Sequence, residues 1–95
     1  MTVIGWDLAS DFSRRYPDAL PALVRWYDIA ARAIWRNLVE ARRDFPHADG
    51  VGNLTVFNIR GNRYRLIAQV NYAYQIVQVK KILTHVEYNK DRWKA

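Results

Sequence analysis

The sequence predicts an α+β fold in which N-terminal helices pack on one face of a mostly antiparallel sheet of three or four strands. Apolar residues recur at helical spacing through the first half, above all Leu20, Val24, Tyr27, Ala31, Ile34 and Leu38. The second half holds β-branched and aromatic runs at Thr55–Ile59, Arg63–Asn71 and Gln75–Leu83. Between the first two of these runs, Gly61-Asn62 is a two-residue hairpin signal. Helices followed by strands, rather than an alternation of the two, point to segregated layers. A chain of 95 residues makes one domain, spanning 1–95.

Taken in order, Thr2–Ile4 is a short opening strand. Asp7 caps a helix that runs to Tyr16 with Leu8 and Phe12 as its inner residues, and Pro17 ends it. Asp18 is the expected N-cap of the second helix, with Pro21 tolerated in its first turn. The apolar stripe named above is this helix's inner face, and Arg25, Asp28, Arg32 and Arg36 fall mostly opposite. Asn37 with Glu40 three residues on forms a capping-box pattern, so a short helix starts there and runs to about Asp44, before Phe45-Pro46. Trp26 and Trp35 are expected as core and rim aromatics. His47–Asn53 is a loop by composition. The tail Thr84–Ala95 is polar and aromatic, with room for one helical turn.

A turn at Gly61-Asn62 fixes the hairpin register. Arg60 then faces Arg63, Ile59 faces Tyr64, Asn58 faces Arg65 and Phe57 faces Leu66. Opposed residues share a sheet face and successive ones alternate. Phe57, Ile59, Tyr64, Leu66, Ala68 and Val70 therefore point under the helices. Arg60, Arg63, Arg65 and Asn58 share the other face, with Val56 and Ile67 further along. On the third strand the same parity turns Val77, Val79 and Lys81 inward and leaves Gln78 and Lys80 beside the arginines. Like charges so placed repel each other, and an anion would relieve them; arginines fanned into solvent are the alternative.

The charge of the chain is uneven. The net +6 comes entirely from residues 55–95, since the first 54 residues balance. With a pI near 10.0, this half is expected to meet an anionic partner such as nucleic acid. There are no cysteines, which excludes disulfides, thiolate metal sites and cysteine catalysis. The absence of cysteines, of a basic-then-apolar leader and of any long apolar stretch leads to the expectation of a cytoplasmic protein without a membrane anchor. The two histidines lie far apart and have no carboxylate cluster beside them, so neither a metal nor another cofactor is expected.

Three blocks carry a resemblance to a known family. They are Phe45-Pro-His-Ala-Asp-Gly-Val-Gly52, Val56-Phe-Asn-Ile-Arg-Gly-Asn-Arg-Tyr-Arg-Leu-Ile-Ala68 and Leu83-Thr-His-Val-Glu-Tyr-Asn-Lys90. In this order and spacing, with Trp26, Trp35 and the terminal Trp93-Lys94, the chain closely resembles HigB-type toxins. These are RelE-superfamily components of type II toxin–antitoxin modules. The resemblance implies a compact RelE-like fold and a metal-independent endoribonuclease that cleaves mRNA, typically on the ribosome. It also implies a HigA-type helix-turn-helix antitoxin as partner, and contact with operator DNA only through that antitoxin. Where the family usually reads Glu-Tyr-Asp, this chain has Glu87-Tyr88-Asn89.

Such cleavage uses the RNA's own 2′-OH as nucleophile. It needs a base, an acid and cations for the phosphorane charge. The candidate catalytic residues are Arg65, His85 and Tyr88. Arg65 occupies the Tyr-Arg-Leu position that the resemblance marks as phosphate-stabilising, and its planar fork suits a phosphorane. His85 supplies an imidazole that titrates near neutrality, and Tyr88 can stack on a base or assist proton transfer. Arg60, Arg63, Lys80, Lys81 and Lys90 are candidates for holding the RNA backbone. His47 reads as a surface histidine and Asp49 as a loop cap. The rival readings are a non-catalytic RNA- or ribosome-binding module using the same face, and a structural protein that sequesters an acidic partner.

Overall fold

The computed structural model describes residues 1–94; Ala95, the end of the expected 1–95 domain and tail, lies outside the described residues. Strands β1 (Thr2–Ile4), β2 (Asp49–Val51), β3 (Leu54–Ile59), β4 (Tyr64–Asn71) and β5 (Ile76–Thr84) form one sheet in the order β1-β5-β4-β3-β2. The segment β3-β4-β5 is an antiparallel meander, β2 extends it antiparallel at one edge, and β1 lies parallel to β5 at the other. Helices α1 (Trp6–Arg15), α2 (Leu20–Arg32) and α3 (Leu38–Asp44) bury one face of the sheet. A short α4 (His85–Asn89) and the 3-10 turn Arg92–Lys94 follow β5. The α+β layering is as expected, but the sheet has five strands rather than three or four. The additional strand is β2, which falls inside the glycine-rich run read as loop.

The main core joins Leu23, Trp26 and Ala30 of α2 with Trp35, Phe57, Ile59, Leu66, Ala68, Val77 and Val79, each 2% exposed or less. Phe57 is its hub, with ring centroids 5.2–6.2 Å from those of Trp26, Trp35 and Phe45. Trp26 and Trp35 are thus core aromatics, as read. The stripe on α2 is a correction. Leu20 is 44% exposed, Val24 51%, Tyr27 38% and Ile34 80%. A second apolar row at the same spacing, Ala19 just before the helix and Leu23, Trp26 and Ala30 on it, packs inward. Its alanines look weak in sequence, but they let the helix approach the sheet while Trp26 fills the volume. The helix also stops at Arg32, with Ala33 extended, so Ile34 never joins its face.

The caps differ in part from expectation. Gly5, not Asp7, caps α1, and Leu8 is 38% exposed while Ala9 is buried. Asp18 sits in a 3-10 turn, Pro17–Ala19, and does not cap α2. Asn37 does cap α3, its side chain accepting from the Glu40 backbone N–H at 3.0 Å. The return arm of that box reaches one residue further back, with the Arg36 N–H donating to Glu40 Oε1 at 2.8 Å.

The pairs Ile59–Tyr64, Asn58–Arg65 and Phe57–Leu66 match the expected register. The turn spans residues 60–63, and Arg60 and Gly61 both take left-handed backbone angles, φ 53° and 65°. A bulge in the β4–β5 ladder, between Ile67 and Ala68, overturns the parity of the lysines. Ile67 pairs with Lys81 and Ala68 with Val79, so Lys80 is the additional residue and Lys81 takes the register of the Arg65 face. That face is also partly covered. Val56, Ile67 and Trp93 form a second apolar cluster with Val51, Leu54, Leu83 and Tyr88 packed against it.

Candidate functional site

Arg65 lies on β4 opposite Asn58, on the sheet face away from α1 and α2. Its guanidinium carbon stands 5.1 Å from the centroid of the Tyr88 ring, and Nη1 donates to the Asn62 carbonyl at 2.6 Å. The Tyr88 ring stacks in turn on Trp93 at 5.1 Å, and Trp93 Nε1 donates to the Tyr88 carbonyl at 2.9 Å. This chain of contacts depends on α4 leaving β5 at a fixed angle. A capping box sets that angle: Thr84 accepts from the Glu87 N–H while Glu87 accepts from the Thr84 N–H.

Arg65 and Tyr88 line a cleft of about 500 Å³ together with Arg42, His47, Asp49 and Asn58. Arg42 arrives from the last turn of α3 and is anchored by donation from Nε to the Ala48 carbonyl at 2.8 Å. Its Nη2 lies 3.7 Å from Asp49 Oδ1. The cleft therefore brings two guanidiniums, an imidazole, a carboxylate and a phenol together at one open surface. Two planar cations can share the oxygens of a phosphate; Arg65 is held by a carbonyl and an aromatic ring, and Arg42 by a carbonyl with the exposed Asp49 carboxylate beside it.

The other candidates are distributed differently. Arg60 turns to the helical side, where Asp18 accepts from its Nη1 and from Tyr64 Oη, the latter at 2.8 Å. It does not share the Arg65 face, because its left-handed backbone swings the side chain back over the sheet end. The hydrogen bond from Tyr64, more than the one from Arg60, holds the Asp18 carboxyl below its ordinary range; the same bond raises the Tyr64 phenol. His85 and Arg63 line an adjoining pocket of about 410 Å³ with Tyr16, Asn62, Tyr64 and Val86. The His85 backbone N–H donates to the Arg63 carbonyl at 2.9 Å. Asn89, the departure from the usual Glu-Tyr-Asp, contacts His85: its Nδ2 lies 3.1 Å from His85 Nε2. Lys80 and Lys81 line a groove against Asp11, Phe12 and Arg15 of α1. Lys90 is an exposed residue at the end of α4.

The structure thus brings Arg65 and Tyr88 together and sets His85 and Arg63 beside them in a second pocket. Three residues of the cleft were not singled out for it in the sequence: Arg42, His47 and Asp49. His47 and Asp49 lie within a block that the family shares, which was the available signal. Arg42 had none, since its approach depends on the turn between α3 and β2. Among the described residues, no group of three or more His, Asp or Glu is placed to hold a metal ion.

Comparison with known proteins agrees with this arrangement of blocks. A family model described as HigB toxin, the RelE-like toxic component of a toxin–antitoxin system, matches residues 19–91. The chain is 27% identical over 92 residues to the mRNA interferase toxin HigB of Escherichia coli K12, covering 94% of this chain and 88% of that protein. It is 31% identical over 81 residues to the mRNA interferase HigB of Escherichia coli O6:H1, covering 82% and 79%. A Shigella flexneri mRNA interferase HigB is similar at 27% over 92 residues. The matched span takes in α2, α3, the whole β2–β5 part of the sheet and α4, and with them Arg42, His47, Asp49, Arg65 and Tyr88. This chain belongs to the HigB toxin family, the RelE-like toxic components of toxin–antitoxin systems.

Proposed function

We propose that the protein is an endoribonuclease that cleaves mRNA in the Arg65–Tyr88 cleft, and that it does so on the ribosome. The observation that carries this reading is the Arg65 guanidinium, aimed by the Asn62 carbonyl and the Tyr88 ring into a cleft that also holds Arg42 and His47. In the proposed reaction a 2′-OH loses its proton to a base and attacks the adjacent phosphorus. The P–O5′ bond breaks, and the departing oxygen is protonated. The products are a 2′,3′-cyclic phosphate and a free 5′-OH. Arg65 and Arg42 take the charge that develops on the phosphorane oxygens. His47 is the imidazole lining this cleft and serves the proton transfer. Tyr88 positions Arg65 and offers a stacking face. All of this is done by side chains of the chain itself, with no metal or other cofactor in the scheme.

The positive charge of the second half supports approach to a ribosome and its message, both dense in phosphate. A HigA-type helix-turn-helix antitoxin is the partner in this reading. It neutralises the toxin and links it to operator DNA, which the toxin does not contact itself.

Primer extension on a reporter mRNA tests the reading. Induction of the wild-type protein produces new 5′ ends and arrests growth, and co-expression of its cognate antitoxin restores growth. Arg65→Ala lowers cleavage about 10²–10³-fold, the usual consequence of removing one transition-state donor, and still binds the antitoxin. New 5′ ends at wild-type yield from Arg65→Ala would remove Arg65 from the reaction. RNA binding without any new 5′ ends would leave a non-catalytic RNA-binding module.

A further inference from the structure

We propose that Trp93 is a positioning residue: its indole seats Tyr88 against Arg65 and so aims the guanidinium into the cleft. This rests on the Arg65 cleft being where the phosphate reacts. Helix α4 has five residues, and none of them is buried. A helix so short does not hold itself together in water, so its place on the sheet has to come from its ends. The capping box at Thr84 fixes the first end. At the other, Asp91 takes a left-handed backbone, φ 59°, and the chain turns back on the helix. Trp93 follows, 6% exposed, and packs with Val56 and Ile67. From His85 to Trp93 it is the one buried side chain. The far end of α4 is therefore anchored by a single indole.

From that anchor the contacts run in one line to the cleft. The indole stacks on the Tyr88 ring with centroids 5.1 Å apart and planes 18° apart. Its Nε1 donates to the Tyr88 carbonyl at 2.9 Å, so ring and backbone of Tyr88 are both held. The Arg65 guanidinium carbon lies 5.1 Å from the centroid of the same ring. Ile67, under the indole, is two residues along β4 from Arg65 and shares its face. The stack thus stands on the strand that carries the arginine, which fixes ring and guanidinium in one frame. Trp93 is not among the residues that line the cleft, so it acts through Tyr88 rather than on the RNA. Without the indole, Arg65 keeps the Asn62 carbonyl but loses the ring that sets its direction.

Cleavage of the reporter mRNA, measured as kcat and KM for a set of variants, tests this. Trp93→Ala lowers kcat about 10²-fold, the loss that a small misplacement of a reacting group brings, with little change in KM. Trp93→Phe, which keeps a ring in the stack, restores most of the rate. The double variant Arg65→Ala/Trp93→Ala is no slower than Arg65→Ala alone, because a residue that acts through Arg65 then has nothing left to aim. Additive losses in the double variant overturn the proposal, and so does a raised KM with kcat unchanged. Trp93 lies outside the main core, so thermal melts of Trp93→Ala still show its cooperative unfolding. Proton NMR of the Arg65 Nε–H, read without RNA, judges the positioning apart from the nuclease reading. The Tyr88 ring current shifts that resonance; Trp93→Ala moves it and Trp93→Phe keeps it near wild type. A resonance unmoved in Trp93→Ala overturns the proposal even if the wild type cleaves mRNA. A moved resonance in a protein that yields no new 5′ ends keeps the positioning and drops the nuclease reading.

Discussion

The Asp18 carboxylate accepts from the Tyr64 hydroxyl at 2.8 Å and pairs with Arg60, and these contacts hold its pKa below the ordinary 3.8. The Tyr64 bond is the larger cause. A carboxyl whose folded pKa is depressed stabilises the fold fully above its unfolded pKa and loses that contribution as pH falls through the folded value. The same direction holds for Glu40, lowered chiefly by its hydrogen bond from Arg36. Thermal melts should therefore show the wild type losing stability as pH falls below about 4, the unfolded carboxylate range. Asp18→Asn should melt lower than wild type at neutral pH and depend less on pH below 4; an identical pH profile would mean that the Asp18 contacts do not persist in solution. At this scale the sequence was readable where a motif reported a partner. Arg65 and Tyr88 stood in shared blocks and meet in the cleft. Arg60 stood in a shared block too, but nothing there reported Asp18 as its partner, because the contact joins residues far apart in the chain.

Among the elements, the sharpest constraint lies where β1 gives way to α1. Gly5 has φ +82°, and a Cβ there would stand 2.7 Å from the Val79 carbonyl oxygen. Both the left-handed backbone and the approach of β5 demand glycine. Gly5→Ala should cost about 1–3 kcal/mol, and each kcal/mol lowers the melting temperature by roughly 4–8 °C in a domain of this size. A melting temperature within a degree of wild type would show that this junction relaxes freely. The strands were legible from their alternation, including the pairs on either side of the first hairpin. The bulge that exchanges the registers of Lys80 and Lys81 was not, because nothing in Val79-Lys80-Lys81-Ile82 marks which residue is left unpaired. The choice between the two apolar rows of α2 was equally hidden: both have helical spacing, and the volume of Trp26 decides it.

For the whole molecule, the sheet is covered on both faces, fully by α1–α3 and partly by the Trp93 cluster. The second half of the chain therefore carries the excess charge and also a small core of its own. Among the described residues no helix is long and apolar enough to cross a membrane. The overall layering could be read from the sequence because helices and strands occupy separate halves. Of the two short edge strands, Thr2–Ile4 was read as a strand, while Asp49–Val51 lay hidden in a run read as loop.

The parallel β1–β5 pair has a kinetic consequence. It joins Thr2 to Ile76, whereas the β3–β4–β5 meander joins near neighbours. Closing so long a loop is entropically costly and brings only a short ladder, so β1 should dock after the meander has formed. Val3→Ala, read by stopped-flow chevrons, should then speed unfolding and leave the folding rate almost unchanged, while Leu66→Ala in the meander slows folding. Equal slowing of folding by both would place β1 in the nucleus. With the expected outcome, the first strand of the chain arrives last and acts as a latch. Weakening it shortens the lifetime of the folded protein without delaying its formation.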